Sequence, residues 1–387
     1  MNNNIAIIGA GKTGRGFIAR LLSEAGLVFT FIDTDLELIN RLRNESEFAV
    51  EFFGNKRSPQ IIRDYHVVHT DDVINEAFID NIKTVFVCVG GTNISAAGAW
   101  LGDKMRHRIC KADGSGEGSG SNSECTVVLC ENADKPADKF KDAFMSVLDK
   151  PAKRVANQLF GFSSSTVFCT TIEKEKGKLN ILSENYPHLE CDARQLKNSF
   201  PDISQFEKIK DFENLLQRKI YTYNSASALI AYMGSSKGYL SYSEAANDPE
   251  ILSLLNDLYT EINKAVCLKY GYTFEDQKAF ARRSLEKFCD KEIADTIERN
   301  AREPYRKLAK NERIIGPALL IEEFGGDTTA LEITAAAAIM YKDPSDIEWT
   351  SIKKKKGVSG ILSDICGLEL DGRLAKNITA LCNTISH

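Results

Sequence analysis

The chain has 387 residues, a formal net charge of −5, and 43% hydrophobic and 27% charged residues. Such a composition is typical of a globular protein long enough for two domains with separate cores, and its acidic balance argues against a nucleic-acid surface. No apolar run reaches the length of a membrane span, and the first residues, MNNN, do not resemble a signal peptide. The sequence therefore predicts a cytoplasmic protein that binds neither nucleic acid nor membrane.

The stretch from Ile5 to Phe17, IAIIGAGKTGRGF, places the motif G-x-G-x-x-G between a strand-like run and a helix. This spacing predicts a dinucleotide-binding turn: the first glycine permits the turn, the second admits a pyrophosphate, and the third permits close helix packing. Phosphates bind there because the N–H groups and dipole of a helix N-terminus favour negative charge. The residues expected at the cofactor are Gly9, Gly11, Lys12, Thr13 and Gly14.

A second strand-like run, LVFTFID, ends at Asp33, about 20 residues beyond the turn, as the motif requires. A carboxylate there accepts both ribose hydroxyls and repels a 2′-phosphate, so the sequence predicts NAD rather than NADP. Val89 and Gly90, at the end of the run TVFVCVG, are also assigned to the cofactor. The alternative is a glycine-rich loop of an unrelated α/β protein, with Asp33 as an ordinary turn residue.

Strand runs and helical stretches alternate up to about Ser183, and continuous apolar strands are typical of a parallel sheet buried on both faces. After about Leu196 the strand signals vanish and long helical patterns follow. We predict a Rossmann-type, doubly wound NAD-binding domain over 1–195 and a helical substrate and catalytic domain over 196–387. The Gly- and Ser-rich segment 112–124 is predicted to be a mobile loop.

Ten cysteines are scattered along the chain, and none forms a C-x-x-C pair. Isolated thiols in a chain this long indicate a reducing compartment, where they act as small apolar residues. Histidine is scarce, with five residues in all. Because zinc sites use clustered His and Cys ligands, the sequence predicts no metal site.

Hydride transfer to a nicotinamide needs protein groups that remove a hydroxyl proton and stabilise an alkoxide. Asn132 follows the strand TVVLC at the carboxyl edge of the predicted sheet, where open α/β folds bind ligands. Its amide can donate to a substrate oxygen. The equally weighted alternative is that Asn132 caps the next helix.

The helix QRKIYTYNSASALIAY carries Lys219, Asn224 and Ser227. At about 100° per residue these three fall within an arc of roughly 140°. A lysine buried beside a ligand has its charged form disfavoured and can act as a general base near neutral pH. The alternative is a solvated lysine without a catalytic role.

Four motifs, in order, are similar to those of the mannitol dehydrogenase family: GAGKTGRGFIARLLSEAG, LCENAD, RKIYTYNSASALIAYMG and REPYRKLAKNERIIGPAL. The length is nearer to the polyol-phosphate members than to the longer polyol and hexuronate dehydrogenases. The resemblance implies a Rossmann-type domain followed by a helical domain like the C-terminal domain of 6-phosphogluconate dehydrogenase. It also implies direct hydride transfer to NAD without a metal.

The resemblance implies site roles as well. Lys219 would be the general base, and Asn132 and Asn224 would hold the carbinol or carbonyl oxygen. A basic group would grip a phosphate or the far end of a polyol, with a surface cluster that caps helix ends as the alternative. This group consists of Arg302, Arg306 and Lys307.

Two departures from the family pattern concern the active site. Ser227 stands where the family has histidine, and Phe168 and Cys169 stand where it has an Asp-Arg pair. His188 is a candidate replacement imidazole, with a purely structural role as its alternative. These departures predict a changed substrate or a weakened activity.

The resulting prediction is an NAD-dependent oxidoreductase, monomeric or a small homo-oligomer, that interconverts a polyol or a mannitol-1-phosphate-like polyol phosphate with its ketose. One alternative is a dinucleotide-binding protein with lost or weak dehydrogenase activity. The other is a dehydrogenase of sugar acids.

Overall fold

The computed structural model describes residues 4–55, 57–113, 124–133, 135–343 and 346–385. The chain divides into two compact units, 1–212 and 213–387. The division into functional domains after residue 195 stays a prediction. Most of the segment predicted to be a mobile loop, 114–123, lies outside the described residues.

Twelve described strands belong to unit 1: β1 (Ile5–Ile8), β2 (Phe29–Asp33), β3 (Phe48–Phe52), β4 (Gln60–Ile62), β5 (Tyr65–His69), β6 (Thr84–Val87), β7 (Cys125–Leu129), β8 (Phe160–Thr166), β9 (Thr171–Glu173), β10 (Ile181–Ser183), β11 (Leu189–Asp192) and β12 (Phe206–Ile209). Eight form the main sheet in the order β12-β11-β8-β7-β6-β1-β2-β5, and four form a small sheet in the order β4-β3-β10-β9. In the main sheet only the pair β11 and β8 is antiparallel among the described strands.

The centre of the main sheet is covered on both faces. Every residue of β1, β6 and β7 is buried, as their continuous apolar sequences predict. The helices of this unit are α1 (Ala19–Glu24), α2 (Leu36–Glu45), α3 (Glu76–Asn81), α4 (Ile94–Asp113), α5 (Pro136–Ser146) and α6 (Lys150–Leu159). Two apolar clusters, around Phe31 on one side and Phe140 on the other, form its core.

The expectation that strands end before Leu196 is wrong at one place. Strand β12 pairs in parallel with β11 at the edge of the main sheet. Only Phe206 of its four residues is buried, and Glu207 and Lys208 are exposed. An edge strand this short has no continuous apolar run, so its sequence does not reveal it.

Unit 2 is helical, as predicted. Its helices are α7 (Phe212–Arg218), α8 (Ser225–Ser236), α9 (Tyr242–Ala246), α10 (Pro249–Tyr270), α11 (Phe274–Cys289), α12 (Ile297–Ala301), α13 (Pro304–Lys307), α14 (Ile315–Glu323), α15 (Thr329–Met340), α16 (Ile347–Asp364) and α17 (Arg373–Ile385). Most residues of α8, α14 and α15 are buried, so these three helices form its centre. No described helix combines the length and the apolar character that crossing a membrane requires.

Candidate dinucleotide and catalytic sites

The glycine turn after β1 is packed too closely for side chains at two positions. Gly9 has a φ of 97°, and a Cβ added there would lie 2.3 Å from the carbonyl oxygen of Cys88. A Cβ at Gly14 would lie 2.0 Å from the carbonyl oxygen of Gly9. Around a Cβ at Gly11, by contrast, the described chain has no atom within 4 Å. The backbone at Gly11 is therefore open to a ligand, as a pyrophosphate requires.

The helix that follows this turn presents its N-terminus to the same place. It opens with Lys12 and Thr13 and widens into a π turn over Gly14–Ile18 before α1. Within the described chain the Thr13 side chain makes no capping hydrogen bond. The N–H groups of the first turn of a helix have no intrahelical acceptors, so this end of the helix fits the phosphates of a dinucleotide.

Asp33 lies at the end of β2, beside the glycine turn. Its Oδ2 accepts a hydrogen bond from Ala10 N at 2.6 Å, and its Oδ1 accepts one from Asp35 N at 3.0 Å. These bonds fix the carboxylate, and each oxygen keeps a further lone pair. The position fits the predicted ribose contact.

Glu131, which precedes Asn132 after the strand TVVLC, has a contact for which the sequence analysis assigned no role. Its Oε1 accepts a hydrogen bond from Gly90 N at 2.6 Å, and Val89 N is a second backbone donor to this carboxylate. Burial raises the pKa of Glu131, and these two backbone donors oppose the rise. The carboxylate thereby ties the loop after β6, which carries both predicted cofactor residues, to the loop after β7. The sequence signal for this contact was the position of an acidic residue directly after a buried strand.

Asn132 joins the ends of two neighbouring strands. Its Nδ2 donates to the carbonyl oxygen of Val167, just after β8, at 3.3 Å. Helix α5 begins at Pro136 and has Lys135 as its N-cap residue, so the alternative that Asn132 caps this helix is wrong. A bond from Asn132 to a substrate oxygen stays a prediction.

The residues in place of the family's Asp-Arg pair lie in the interior of unit 1. Phe168 and Cys169 are both buried, and the Phe168 ring lies 5.6 Å from that of Tyr186. His188 is 39% exposed, with its Nδ1 at 3.4 Å from Oε1 of Glu207. This contact between strand neighbours fits the structural alternative for His188.

Lys219 is 6% exposed and begins a second π turn, Lys219–Asn224, between α7 and α8. The α-helical spacing assumed for this segment is therefore wrong. Because a π turn pairs residues five apart, Lys219 and Asn224 lie closer to one face than α-helical geometry gives. Widened turns of this kind occur frequently at functional sites. The sequence KIYTYN contains neither Gly nor Pro and gave no sign of the π turn.

Ser227 follows on α8, one turn beyond Asn224. Its Oγ accepts a hydrogen bond from the phenol of Tyr242 at 3.0 Å. Tyr242 is 5% exposed and begins α9. The hydroxyl that replaces the family's imidazole is thus held by a buried neutral donor.

Arg302 follows the end of α12, and Arg306 and Lys307 lie in α13, but the three side chains make different contacts. Arg302 and Arg306 are exposed; the first donates from Nε to Arg299 O at 3.2 Å, and the second pairs with Glu303 at 2.9 Å. Lys307 is buried, and its Nζ donates to the carbonyl oxygens of Asn300 and Arg302. These bonds fit the alternative of a surface cluster that caps helix ends. The fit is best for Lys307, whose amine bonds backbone carbonyls. A substrate contact by Arg302 or Arg306 stays a prediction.

All ten cysteines are described and are free thiols. Within the described ranges, no group of three or more His, Cys, Asp and Glu residues is arranged to hold a metal ion. Neither the glycine turn nor the Lys219 segment contains residues typical of a metal site. Hydride transfer without a metal stays a prediction.

A parallel, doubly wound sheet with this glycine turn, followed by a helical unit, defines a two-domain protein of the Rossmann dinucleotide-binding class. The model of the mannitol dehydrogenase Rossmann domain matches residues 3–205, and that of the mannitol dehydrogenase C-terminal domain matches residues 209–360. The chain therefore belongs to the mannitol dehydrogenase family. This match confirms the resemblance inferred from the four motifs.

Two similar curated proteins are mannitol-1-phosphate 5-dehydrogenases. The one from Bacillus licheniformis is 25% identical over 374 residues, which cover 95% of this chain and 96% of that protein. The one from Bacillus subtilis is 25% identical over 367 residues, which cover 93% and 94%. The similarity thus extends over nearly the full length of both chains.

Two solved structures share the fold. A substrate-free D-sorbitol dehydrogenase has a TM-score of 0.77 at 15% identity and covers 100% of this chain and 94% of its own. Mannitol 2-dehydrogenase of Pseudomonas fluorescens, in a ternary complex with NAD and D-mannitol, has a TM-score of 0.68 at 15% identity and covers 100% and 91%. Both confirm the predicted fold class of a Rossmann-type domain followed by a helical domain.

Replacing Gly11 and Gly14 by alanine should separate ligand binding from packing. Gly11→Ala should keep the wild-type melting temperature but weaken NADH binding by roughly ten-fold or more, equivalent to about 1.4 kcal/mol, because its methyl group fills the open space. Gly14→Ala should instead lower stability by about 1–3 kcal/mol through its overlap with Gly9. Thermal unfolding and calorimetry with NADH measure both effects. Wild-type NADH affinity in Gly11→Ala would contradict the placement of the pyrophosphate.

Lys307 should make stability depend on pH. Burial and the nearby Arg313 and Arg306 lower the pKa of Lys307 to about 7. Between that value and the ordinary lysine pKa the unfolded chain holds more protons, so raising the pH stabilises the fold by roughly 1 kcal/mol per pH unit. Urea unfolding at pH 7, 8 and 9 should show this gain in the wild type and lose it in Lys307→Met.

The control for this measurement is Lys264→Met, because Lys264 is 55% exposed on α10 and pairs with Glu261. Its pH dependence should follow the wild type. Equal pH dependence in Lys307→Met and Lys264→Met would show that the buried amine keeps its charge throughout this range.

Proposed function

We propose that this member of the mannitol dehydrogenase family transfers a hydride between NAD and a polyol or polyol phosphate, interconverting it with the corresponding ketose. The main support for the proposal is that both family domain models match the chain, one after the other. The open backbone at Gly11 and the fixed carboxylate of Asp33 support NAD as the cofactor. The free, scattered thiols support a cytoplasmic location.

A phosphorylated hexitol is the proposed substrate. The two Bacillus relatives, which align over nearly their full length, are named for mannitol 1-phosphate. Arg302 and Arg306 have exposed guanidinium groups that can bind a phosphate in bidentate fashion. Lys307 is not included, because its amine is bonded to two backbone carbonyls.

In the proposed mechanism, NAD would accept the hydride of the carbinol carbon when bound. The glycine turn and the adjoining helix N-terminus would hold its pyrophosphate, and Asp33 would hold its ribose. Lys219 takes the hydroxyl proton at Nζ as the carbonyl forms. Asn224, on the same π turn, donates from its amide to the same oxygen and stabilises its developing charge. The family resemblance implies the same role for the amide of Asn132. Ser227 is proposed as a further donor.

The family match favours this function over the two alternatives from the sequence, a dinucleotide-binding protein without chemistry and a sugar-acid dehydrogenase. A substrate panel of hexitols, hexitol phosphates and aldonates separates all three when NADH formation is measured beside NADH binding. Binding without turnover on any compound would favour the first alternative. Turnover of aldonates alone would favour the second.

Lys219→Met tests the proposed base. Loss of the proton acceptor should lower kcat by about 10²- to 10⁴-fold and leave the affinity for NADH unchanged. Steady-state kinetics and calorimetry provide the two measurements. The control is Lys353→Met, because Lys353 is a half-buried lysine of the same unit that donates to the carbonyl oxygen of Tyr341. If Lys219→Met keeps the wild-type kcat, the assignment of the base is wrong.

A further inference from the structure

Gln277 connects helix α11 to the π turn that carries Lys219. It is completely buried. Its Oε1 accepts a hydrogen bond from Nε of Arg218 at 2.7 Å. Its Nε2 donates to Oγ1 of Thr222 at 2.9 Å and to Oδ1 of Asn263 on α10 at 3.0 Å. One side-chain amide thus bonds the residue before Lys219, a residue inside the turn, and a neighbouring helix.

The orientation of this amide is fixed by its partners. A guanidinium group only donates hydrogen bonds, so the oxygen of Gln277 must face Arg218 and its nitrogen must face Thr222. Both N–H groups and the carbonyl of the amide are therefore used. Because the site excludes water, removing the amide leaves buried donors and acceptors without their partners, and such networks hold one conformation strongly.

The side chain of Arg218 is itself held in place, so the π turn begins next to a fixed residue. Its guanidinium lies 4.1 Å from the ring centre of Tyr272 and 4.3 Å from that of Phe280. Its Nη2 lies 2.7 Å from Oδ2 of Asp276, the residue before Gln277. Cation–π contacts on two rings and an ion pair leave this side chain a single position.

We propose that Gln277 is a positioning residue for Lys219 and Asn224, acting through Arg218 and Thr222. A π turn is rare and less regular than an α-helix, so a segment that keeps one needs bonds from outside it. Without the amide the turn can relax toward α-helical geometry, which rotates Lys219 away from the face it shares with Asn224. The inference rests on the proposed function, since the role of Lys219 as base comes from there.

The test compares Gln277→Leu with Ser284→Ala. Ser284 is a matched control because it is completely buried on the same helix and bonds Tyr259 of α10 instead of a residue of the turn. A displacement of about 1 Å in a catalytic group can cost about 100-fold, so Gln277→Leu should lower kcat by up to that factor. KM for the polyol and the affinity for NADH should stay near wild-type values, and the acid limb of the kcat profile should shift. Ser284→Ala should keep the wild-type profile.

A conservative variant provides the rescue. In Gln277→Glu the carboxylate still accepts from Arg218, and the Thr222 hydroxyl and a flipped Asn263 amide can both donate to it. This variant should recover most of the kcat lost in Gln277→Leu. Equal kcat and equal pH profiles in the wild type and a folded Gln277→Leu would overturn the inference, as would an equal loss in Ser284→Ala. If Gln277→Leu does not fold, Thr222→Val replaces it with the same expectations.

Amide hydrogen exchange of residues 217–226 provides a measurement that does not depend on turnover. Exchange there should increase in Gln277→Leu and stay at the wild-type level in Ser284→Ala. If the wild type turns over no compound of the substrate panel, the proposed function fails and the exchange result alone decides whether Gln277 holds the turn. Unchanged exchange in Gln277→Leu would overturn the inference in either case.

Discussion

The contact between backbones at the glycine turn is the constraint on which the dinucleotide site depends. Gly9 lies against the carbonyl of Cys88, and Gly14 lies against the carbonyl of Gly9, at distances that leave no room for a methyl group. Strand β1, the loop after β6 and the first helix are thereby brought together at one edge of the sheet. The open position at Gly11 lies between these two closely packed glycines.

Glu131 extends the same arrangement to the next strand. Its carboxylate accepts from the backbone of the Val89–Gly90 loop, and Asn132 beside it bonds the carbonyl of Val167. The ends of β6, β7 and β8 are thus joined by side chains of two consecutive residues. A loop edge fixed in this way needs little reorganisation when a ligand binds, which favours pre-aimed donors.

The sequence was sufficient for the parts of the molecule that follow local rules. The glycine spacing, the buried strands and the apolar faces of the long helices each have a periodic or motif-like signal, and the fold class followed from them. Strand β12 lacked such a signal because only Phe206 is buried. The π turn at Lys219 and the amide of Gln277 were not predictable, because both depend on bonds between residues more than 50 positions apart.

Both departures from the family pattern remove side chains that can carry a charge at neutral pH: an imidazole in one case and an Asp-Arg pair in the other. Histidine is replaced by Ser227, whose Oγ accepts from Tyr242, and burial raises the pKa of that phenol far above its ordinary value, so it stays a neutral donor. The Asp-Arg pair is replaced by Phe168 and Cys169, which are both buried. Neutral hydroxyl and amide donors keep their hydrogen bonds across the physiological pH range, whereas an imidazole changes its charge there. In the proposed mechanism the proton transfer then depends on Lys219, and the shape of the turn that carries it becomes the main control on its chemistry.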